Sequence, residues 1–260
     1  MQAINNLMRS EQIKDDLLAN VSHELRTPLH GINGLAETAL AEFNNDKQNV
    51  DLIVQNLELI HASGNRLTKL VNDLLEFSAA RDDDATYVKF KPVDLNSLIT
   101  LVIAVCRPSI GEKQIQLRAE ISPDLPLVSG DEDRLQQILV NLTSNAIKFT
   151  YTDEVVVAAY LTSDYNVRVE VRDTGIGIHK TEQEIIFQTF EKLPSQHMNS
   201  SGIGLGLPLA KRMVEMHKSK LEVESELDVG STFRFDLSVS LDQTRAVKAP
   251  TVQKKNASQV

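Results

Sequence analysis

Two runs of apolar residues with alternating steps of three and four constrain the fold of this chain more than any other feature. The first is Leu18, Val21, Leu25, Pro28, Ile32, Leu35 and Ala39, and the second is Ile53, Leu57, Ile60, Gly64, Leu67, Val71, Leu74 and Ser78. Such spacing marks the heptad seam of an amphipathic helix. Joined near Glu42-Phe43-Asn44-Asn45-Asp46, the two helices read as an antiparallel hairpin. Two amphipathic helices bury too little on their own, so the expected arrangement is a dimer whose hairpins form an all-α four-helix bundle. A plain coiled-coil spacer would have the same seam. The polar break Arg81-Asp82-Asp83-Asp84 ends this part, which gives a helical domain over 1–81 and a linker over 82–86.

The octet Ser22-His23-Glu24-Leu25-Arg26-Thr27-Pro28-Leu29 lies on the first seam. His23 is two residues from both Val21 and Leu25, which at about 100° per residue turns it away from the seam. His30 is turned outward by the same reasoning, so exposure alone does not single out His23; its neighbours do. Glu24 can accept or orient an imidazole proton, and Arg26 and Thr27 follow on the same side of the helix. Pro28 leaves the carbonyl of Glu24 without its helical donor, which favours a bend just after His23. The ordinary alternative is a solvated, inert histidine.

The composition narrows the function classes. With 36 acidic and 27 basic residues among 260, the formal charge is −9, and no basic stripe with interleaved aromatics argues for a nucleic-acid partner. The single cysteine, Cys106, lies in an apolar run and reads as a small buried side chain of a reducing compartment. No apolar stretch approaches the ~18 residues of a membrane span, and the N-terminus lacks signal-peptide character. The chain as given is expected to be soluble and cytoplasmic, without membrane contact of its own.

From about Tyr87 the pattern changes to mixed strands and helices. Val88–Val93, Gln114–Ile121, Glu154–Leu161, Val167–Arg172, Leu221–Ser225 and Thr232–Val239 read as strands, and Asn96–Cys106 as a buried helix. A longer helix starts at Gly130-Asp131, with Asp131 as N-cap and Leu135, Ile138, Leu139, Leu142 and Ala146 as its apolar stripe. The expected architecture is an α+β two-layer sandwich over 87–240, with helices on one face of a mostly antiparallel sheet, followed by a disordered tail over 241–260.

Several clusters there carry chemistry. Asn141, Asn145 and Lys148 share the polar face of the helix that Asp131 opens. A carboxamide oxygen is a neutral ligand for magnesium, and a lysine can neutralise phosphate as a point charge. An amphipathic helix with an ordinary polar face would look the same. Asp173-Thr174-Gly175-Ile176-Gly177 then places a carboxylate at a strand end, with glycines that let the backbone approach a flat ligand. Ile186-Phe187-Gln188-Thr189-Phe190 leads into the flexible-looking stretch Leu193 to Ser201. After it, Gly202-Ile203-Gly204-Leu205-Gly206-Leu207 opens a helix whose N-terminus can receive phosphate, with Pro208 in its first turn.

Taken in this order behind the His23 octet, these clusters closely resemble the catalytic core of bacterial sensor histidine kinases, and the resemblance covers Leu17 to Leu237. It implies a dimerisation and histidine phosphotransfer domain followed by a Bergerat-type ATP-binding domain shared with gyrase, Hsp90 and MutL. It makes His23 the phosphoacceptor, Glu24 an aid to its deprotonation and Thr27 a positioner of water for dephosphorylating a partner. It makes Asn145 the magnesium ligand beside Asn141, with Lys148 on a phosphate, Asp173 on the adenine amino group and Gly175 and Gly177 shaping that pocket. Gly202, Gly204 and Gly206 would flank the triphosphate, and Thr232 matches a family threonine near the adenine. The implied cofactors are ATP and Mg2+. The implied partners are a second copy of the chain and a response-regulator receiver domain, the latter taking the phosphoryl group on an aspartate. The chain departs from the family at His217-Lys218-Ser219, where many members have a glycine pair, and at Gln188, a common glutamate. An input domain usually precedes such a core, so the parent is expected at the inner membrane with this part on the cytoplasmic side. A gyrase- or Hsp90-like clamp ATPase shares the nucleotide features but leaves the octet unexplained, and it would need a catalytic glutamate where Asn141 stands. A nucleotide-binding dimeric scaffold or dedicated phosphatase is the third reading.

Overall fold

The computed structural model describes residues 2–44, 49–79, 88–188 and 204–241. The linker 82–86, the stretch 193–201, Gly202 and the tail from 242 lie outside the described residues, as does the side chain of His23.

Helix α1 spans Gln2–Phe43 and runs through Pro28 without interruption, and α2 spans Val50–Ala79. Asn49 caps α2, its side-chain oxygen accepting the Leu52 N–H at 3.1 Å, while its own N–H donates to Glu42 at 3.0 Å. In α1, Val21, Pro28 and Ala39 are buried and Leu25, Ile32 and Leu35 partly so, in line with the expected seam. In α2 the seam departs from expectation at two positions. Leu57 and Val71 are exposed, and their neighbours Asn56 and Leu70 turn inward instead. One residue is about 100° of helix rotation, and the apolar surface of α2 is wide enough for either edge to meet α1. The edge left over carries Val50, Val54, Leu57, Val71 and Leu75, all exposed within one chain. None of the described helices is long and apolar enough to cross a membrane.

The remainder is a layer of helices on a mixed sheet. The strands are β1 (Lys91–Val93), β2 (Gln114–Ile121), β3 (Val128–Gly130), β4 (Thr152–Leu161), β5 (Asn166–Asp173), β6 (Glu222–Glu226) and β7 (Gly230–Ser238). Among the described residues of this part, the α-helices are α3 (Leu95–Cys106), α4 (Glu132–Phe149) and α5 (Gly206–Met216). Five strands order as β2-β4-β5-β7-β6; β2 runs parallel to β4 and the other neighbours are antiparallel. Val167, Val169 and Val171 of β5 and Phe233, Phe235 and Leu237 of β7 point into the core with the apolar faces of the three helices. The alternate residues Arg168, Arg172, Arg234 and Asp236 form ion pairs on the outer face, as period-two alternation requires.

Two short strands form a separate antiparallel pair, β1 with β3. The expected strand Val88–Val93 is thus shortened, because the Phe90 N–H turns back to the Val88 carbonyl at 3.1 Å. Three residues of β3 are too few to show a periodicity.

The turn after α5 is built with a lysine where a glycine is ordinarily needed. Ser219 N–H donates to the Val214 carbonyl at 3.2 Å and Lys218 N–H to Glu215 at 2.9 Å, and Lys218 has φ of 60°. This is a Schellman-type helix end with the left-handed position held by an L side chain. Lys218→Gly should therefore stabilise the fold by about 1 kcal/mol, the steric cost relieved there. Urea denaturation of the two proteins checks it; equal midpoints would mean that the lysine conformation is not strained.

Candidate nucleotide and phosphoacceptor site

The site starts from α4. Asp131 is its N-cap, with φ of −100° and ψ of 112°, and its carboxylate accepts the Arg134 N–H at 3.3 Å. The apolar stripe Leu135, Ile138, Leu139, Leu142, Ala146 and Ile147 is buried against the sheet. That leaves Asn141, Asn145 and Lys148 half-buried on the other side, with Asn141 close under the first turn of α5. A Cβ built at Gly206 would lie 3.7 Å from Asn141 Oδ1, so the glycine-led start of α5 stands over the carboxamide face.

At the far end of α4, β5 delivers Asp173 on the core face, in step with Val169 and Val171. Burial pushes its carboxyl up to about 6, against the opposing pull of backbone N–H groups at Gly175 and Ser231. The Gly175 N–H lies 2.9 Å from Oδ1. The loop that follows tolerates no side chain: a Cβ at Gly175 would meet the Phe149 carbonyl oxygen at 2.5 Å, and one at Gly177, where φ is 65°, would meet the Glu226 carbonyl oxygen at 1.9 Å. A desolvated carboxylate beside bare backbone is built to receive a flat ligand with an N–H donor.

Gly204 has φ of 75°, and the N–H groups of the first turn of α5 are free of helical partners by geometry. Phe187 packs edge-on against Phe233 at 6.4 Å between ring centres, with Lys211 Nζ 5.3 Å from the Phe187 ring. Among the described residues no group of three or more His, Cys, Asp or Glu gathers. A divalent ion here would depend on a carboxamide oxygen and on phosphate oxygens brought by the nucleotide, which is how magnesium is commonly held. The donor set fits MgATP.

Among the described residues, an apolar contact between the nucleotide part and the hairpin is made by a residue that sequence reasoning passed over. Leu205, between Gly204 and Gly206, is 1% exposed and packs with Val21 of α1 and Leu70 of α2, flanked by Leu25 and Leu74. Val21 is two residues before His23, whose backbone lies in the same helix. Glu24, the next residue, is mostly buried and faces Arg66 of α2, with 3.6 Å between Oε2 and the guanidinium; Thr27 is exposed one turn on.

Thr232 requires a correction. Its register partners are Arg172 and Glu224, and it shares a parity with Arg234 and Asp236, so it lies on the charged outer face. The residue paired with Asp173 is Ser231, which is 7% exposed on the core face and hydrogen-bonded through Oγ to Ser225 at 3.0 Å. The alternation Ser231, Phe233, Phe235, Leu237 was the signal that could have chosen it. Gly202 lies outside the described residues.

Comparison with known proteins agrees with this geometry. Residues 13–82 match the family described as His Kinase A (phospho-acceptor) domain, and residues 130–241 match the Histidine kinase-, DNA gyrase B-, and HSP90-like ATPase family. The first of these is a phosphoacceptor hairpin and decides between the ATPase families that share the second. The chain belongs to the sensor histidine kinases. As a sensor histidine kinase core it is 36% identical over 249 residues to Drug sensory protein A of Synechocystis sp., which covers 92% of the chain and 37% of that protein. It is 33% identical over 248 residues to the signal transduction histidine-protein kinase BarA of Escherichia coli, covering 93% of the chain and 26% of BarA. The chain thus spans little more than a third of the length of these relatives, or less. Full-length ShkA in complex with AMPPNP is similar in structure, with a TM-score of 0.63 and 31% identity over 86% of this chain and 46% of that one. The histidine kinase ThkA in complex with the response regulator protein TrrA shares the fold, with a TM-score of 0.67 and 23% identity over 89% of this chain and 64% of that one.

Proposed function

We propose that this core binds MgATP at Asn141, Asn145, Lys148, Asp173 and the Gly204–Gly206 turn, phosphorylates itself on His23, and passes the phosphoryl group to an aspartate of a receiver domain. The observation that carries this reading is the seat of Leu205. The glycine turn that stands over the carboxamide face of α4 also plugs into the hairpin beside Val21, so the phosphate end of the site adjoins the helix of His23. A free-standing clamp ATPase has no use for that contact.

In the transfer, the lone pair of one imidazole nitrogen attacks the γ-phosphorus as the bond to the bridging oxygen breaks and ADP leaves with its electrons. The proton on the other ring nitrogen passes to Glu24. Asn145 would hold a magnesium ion, which would neutralise phosphate charge when bound, and Lys148 adds a point charge. Positioning and electrostatics supply most of such catalysis. Thr27, exposed one turn after His23, is proposed to orient water for hydrolysing the receiver's phosphoaspartate. We further propose a division into 1–81 and 87–240 joined by 82–86, a homodimer through the apolar edge of α2, and a parent protein held at the inner membrane with this core in the cytoplasm.

The test is incubation with MgATP labelled at the γ-phosphate, alongside His23→Gln and Asn145→Ala. Acid-labile, base-stable label on the parent protein and none on either variant is expected. Steady ATP hydrolysis by the His23→Gln protein without any label on the parent protein would favour a clamp ATPase.

A further inference from the structure

The last turn of α4 runs out of helical donors for its carbonyls after Ala146, and each carbonyl there has a traceable partner. The Ala146 carbonyl accepts the N–H and hydroxyl of Thr150. The carbonyls of Ile147, Lys148 and Thr150 all accept from one ammonium group, Lys113 Nζ, at 2.7, 2.8 and 2.9 Å. The remaining one, Phe149, accepts the Ile176 N–H at 3.3 Å from the glycine loop beside Asp173, and the bare Cα of Gly175 rests against it.

Lys113 reaches this point through the sheet. It immediately precedes β2, which pairs in parallel with β4 so that Gln114 lies opposite Thr152. The residue before β2 therefore stands at the junction of α4 and β4, where its ammonium also lies 5.1 Å from the centre of the Tyr151 ring. All three of its donors are used, and its charge sits at the negative end of the helix dipole. No contact to a nucleotide is needed to explain where it sits.

We propose that Lys113 is a positioning residue for the nucleotide: by binding the carbonyls on either side of Phe149, it holds that carbonyl in place as the rest for the Gly175–Gly177 loop, and so sets the distance from Asp173 to Lys148 that one nucleotide must span. This rests on the reading of the site as an ATP site. Lys113 acts through the backbone of α4 and the loop, with its three donors on the carbonyls of Ile147, Lys148 and Thr150. Its loss should therefore weaken nucleotide binding while sparing transfer once the site is filled.

The experiment compares the parent chain with Lys113→Met, Lys113→Arg and a core control, Leu221→Ala, using MgATP for binding and the labelled nucleotide for autophosphorylation. Leu221 is 3% exposed in the main core and immediately precedes β6, at the opposite edge of the sheet from β2. The expected result for Lys113→Met is a Kd for MgATP raised about tenfold, as for loss of charge-assisted positioning bonds, with the rate at saturating MgATP within about threefold of the parent. Lys113→Arg should recover only part of the affinity, and the Ile176 amide should lose hydrogen-exchange protection strongly in the Met variant and partly in the Arg variant. The inference is overturned if Lys113→Met binds MgATP like the parent, or if Leu221→Ala with a similar loss of Tm weakens binding as much. Should Lys113→Met not fold, Lys113→Arg decides: unchanged affinity and unchanged Ile176 protection would overturn the inference, because a guanidinium cannot direct three N–H groups from one atom. A parent chain that binds no MgATP would overturn the ATP reading itself and this inference with it, whereas binding without a Lys113 effect overturns the inference alone.

Discussion

Asp173→Asn is expected to abolish measurable ATP binding while making the empty protein more stable at neutral pH. The carboxylate of Asp173 accepts from the backbone N–H groups of Gly175 and Ser231 and has acceptor capacity left for an N–H of a bound adenine. An asparagine has one acceptor oxygen. It must either turn its NH2 toward those backbone donors or present it to the adenine amino group, and in both cases two donors face each other. A loss of about a hundredfold or more in affinity follows, since a site built to hydrogen-bond its ligand is left with unpaired buried groups.

The stability effect has the opposite sign. Burial raises this carboxyl from an ordinary 3.8 to about 6, so between those values the folded state binds more protons than the unfolded one. Stability due to this group is therefore complete below about pH 4 and is lost as pH rises through 6, the reverse of a salt-bridged aspartate. A rise of that size corresponds to at most about 3 kcal/mol carried as a cost at pH 7. Asparagine removes that cost, so its Tm should exceed the parent's at pH 7 and converge with it near pH 4. Nucleotide affinity should fall as the solution is acidified below about 6, where the acceptor becomes protonated. Calorimetry from pH 4 to 8 measures both, and a parent Kd flat across that range would overturn the assignment of Asp173 as the ionised acceptor.

Leu205→Ala should separate nucleotide binding from transfer. The side chain is buried by the hairpin residues Val21, Leu25, Leu70 and Leu74. Burying a leucine contributes about 1.5–3 kcal/mol, so truncation should lower the docked population roughly 10- to 100-fold. The autophosphorylation rate at saturating MgATP should drop by that factor, with Kd for MgATP little changed. Since proximity supplies much of the rate of such a transfer, weakening the docking acts on the rate directly. A faster rate in Leu205→Ala would instead identify the docked arrangement as a resting state that must open before transfer.

Much of this protein was legible in its order of residues, because the deciding forces act within a few positions. The seam of α1 follows from the 3.6-residue turn, the start of α4 from a carboxylate that can cap its own helix, and the alternation of β5 and β7 from the two-residue pleat. The polar face with Asn141, Asn145 and Lys148 follows from the same helical arithmetic, and Asp173 from its place at a strand end before two glycines. Residues whose meaning depends on distant segments were not legible. Leu57 and Val71 fit the seam by spacing, yet α1 packs on the adjacent edge, where Asn56 and Leu70 lie, because a wide apolar stripe offers two edges to choose from. Thr232 and Ser231 differ by one position: the alternation with Phe233, Phe235 and Leu237 puts Ser231 on the core face, but it is the antiparallel register with β5 that brings it opposite Asp173. Leu205 reads as a linker between glycines until the hairpin closes over it. Lys113 reads as one more surface charge until the parallel pairing of β2 with β4 brings it to the end of α4. Local backbone geometry thus determined the elements and the polar groups they present, while pairing and packing between remote segments decided which of those groups share one site.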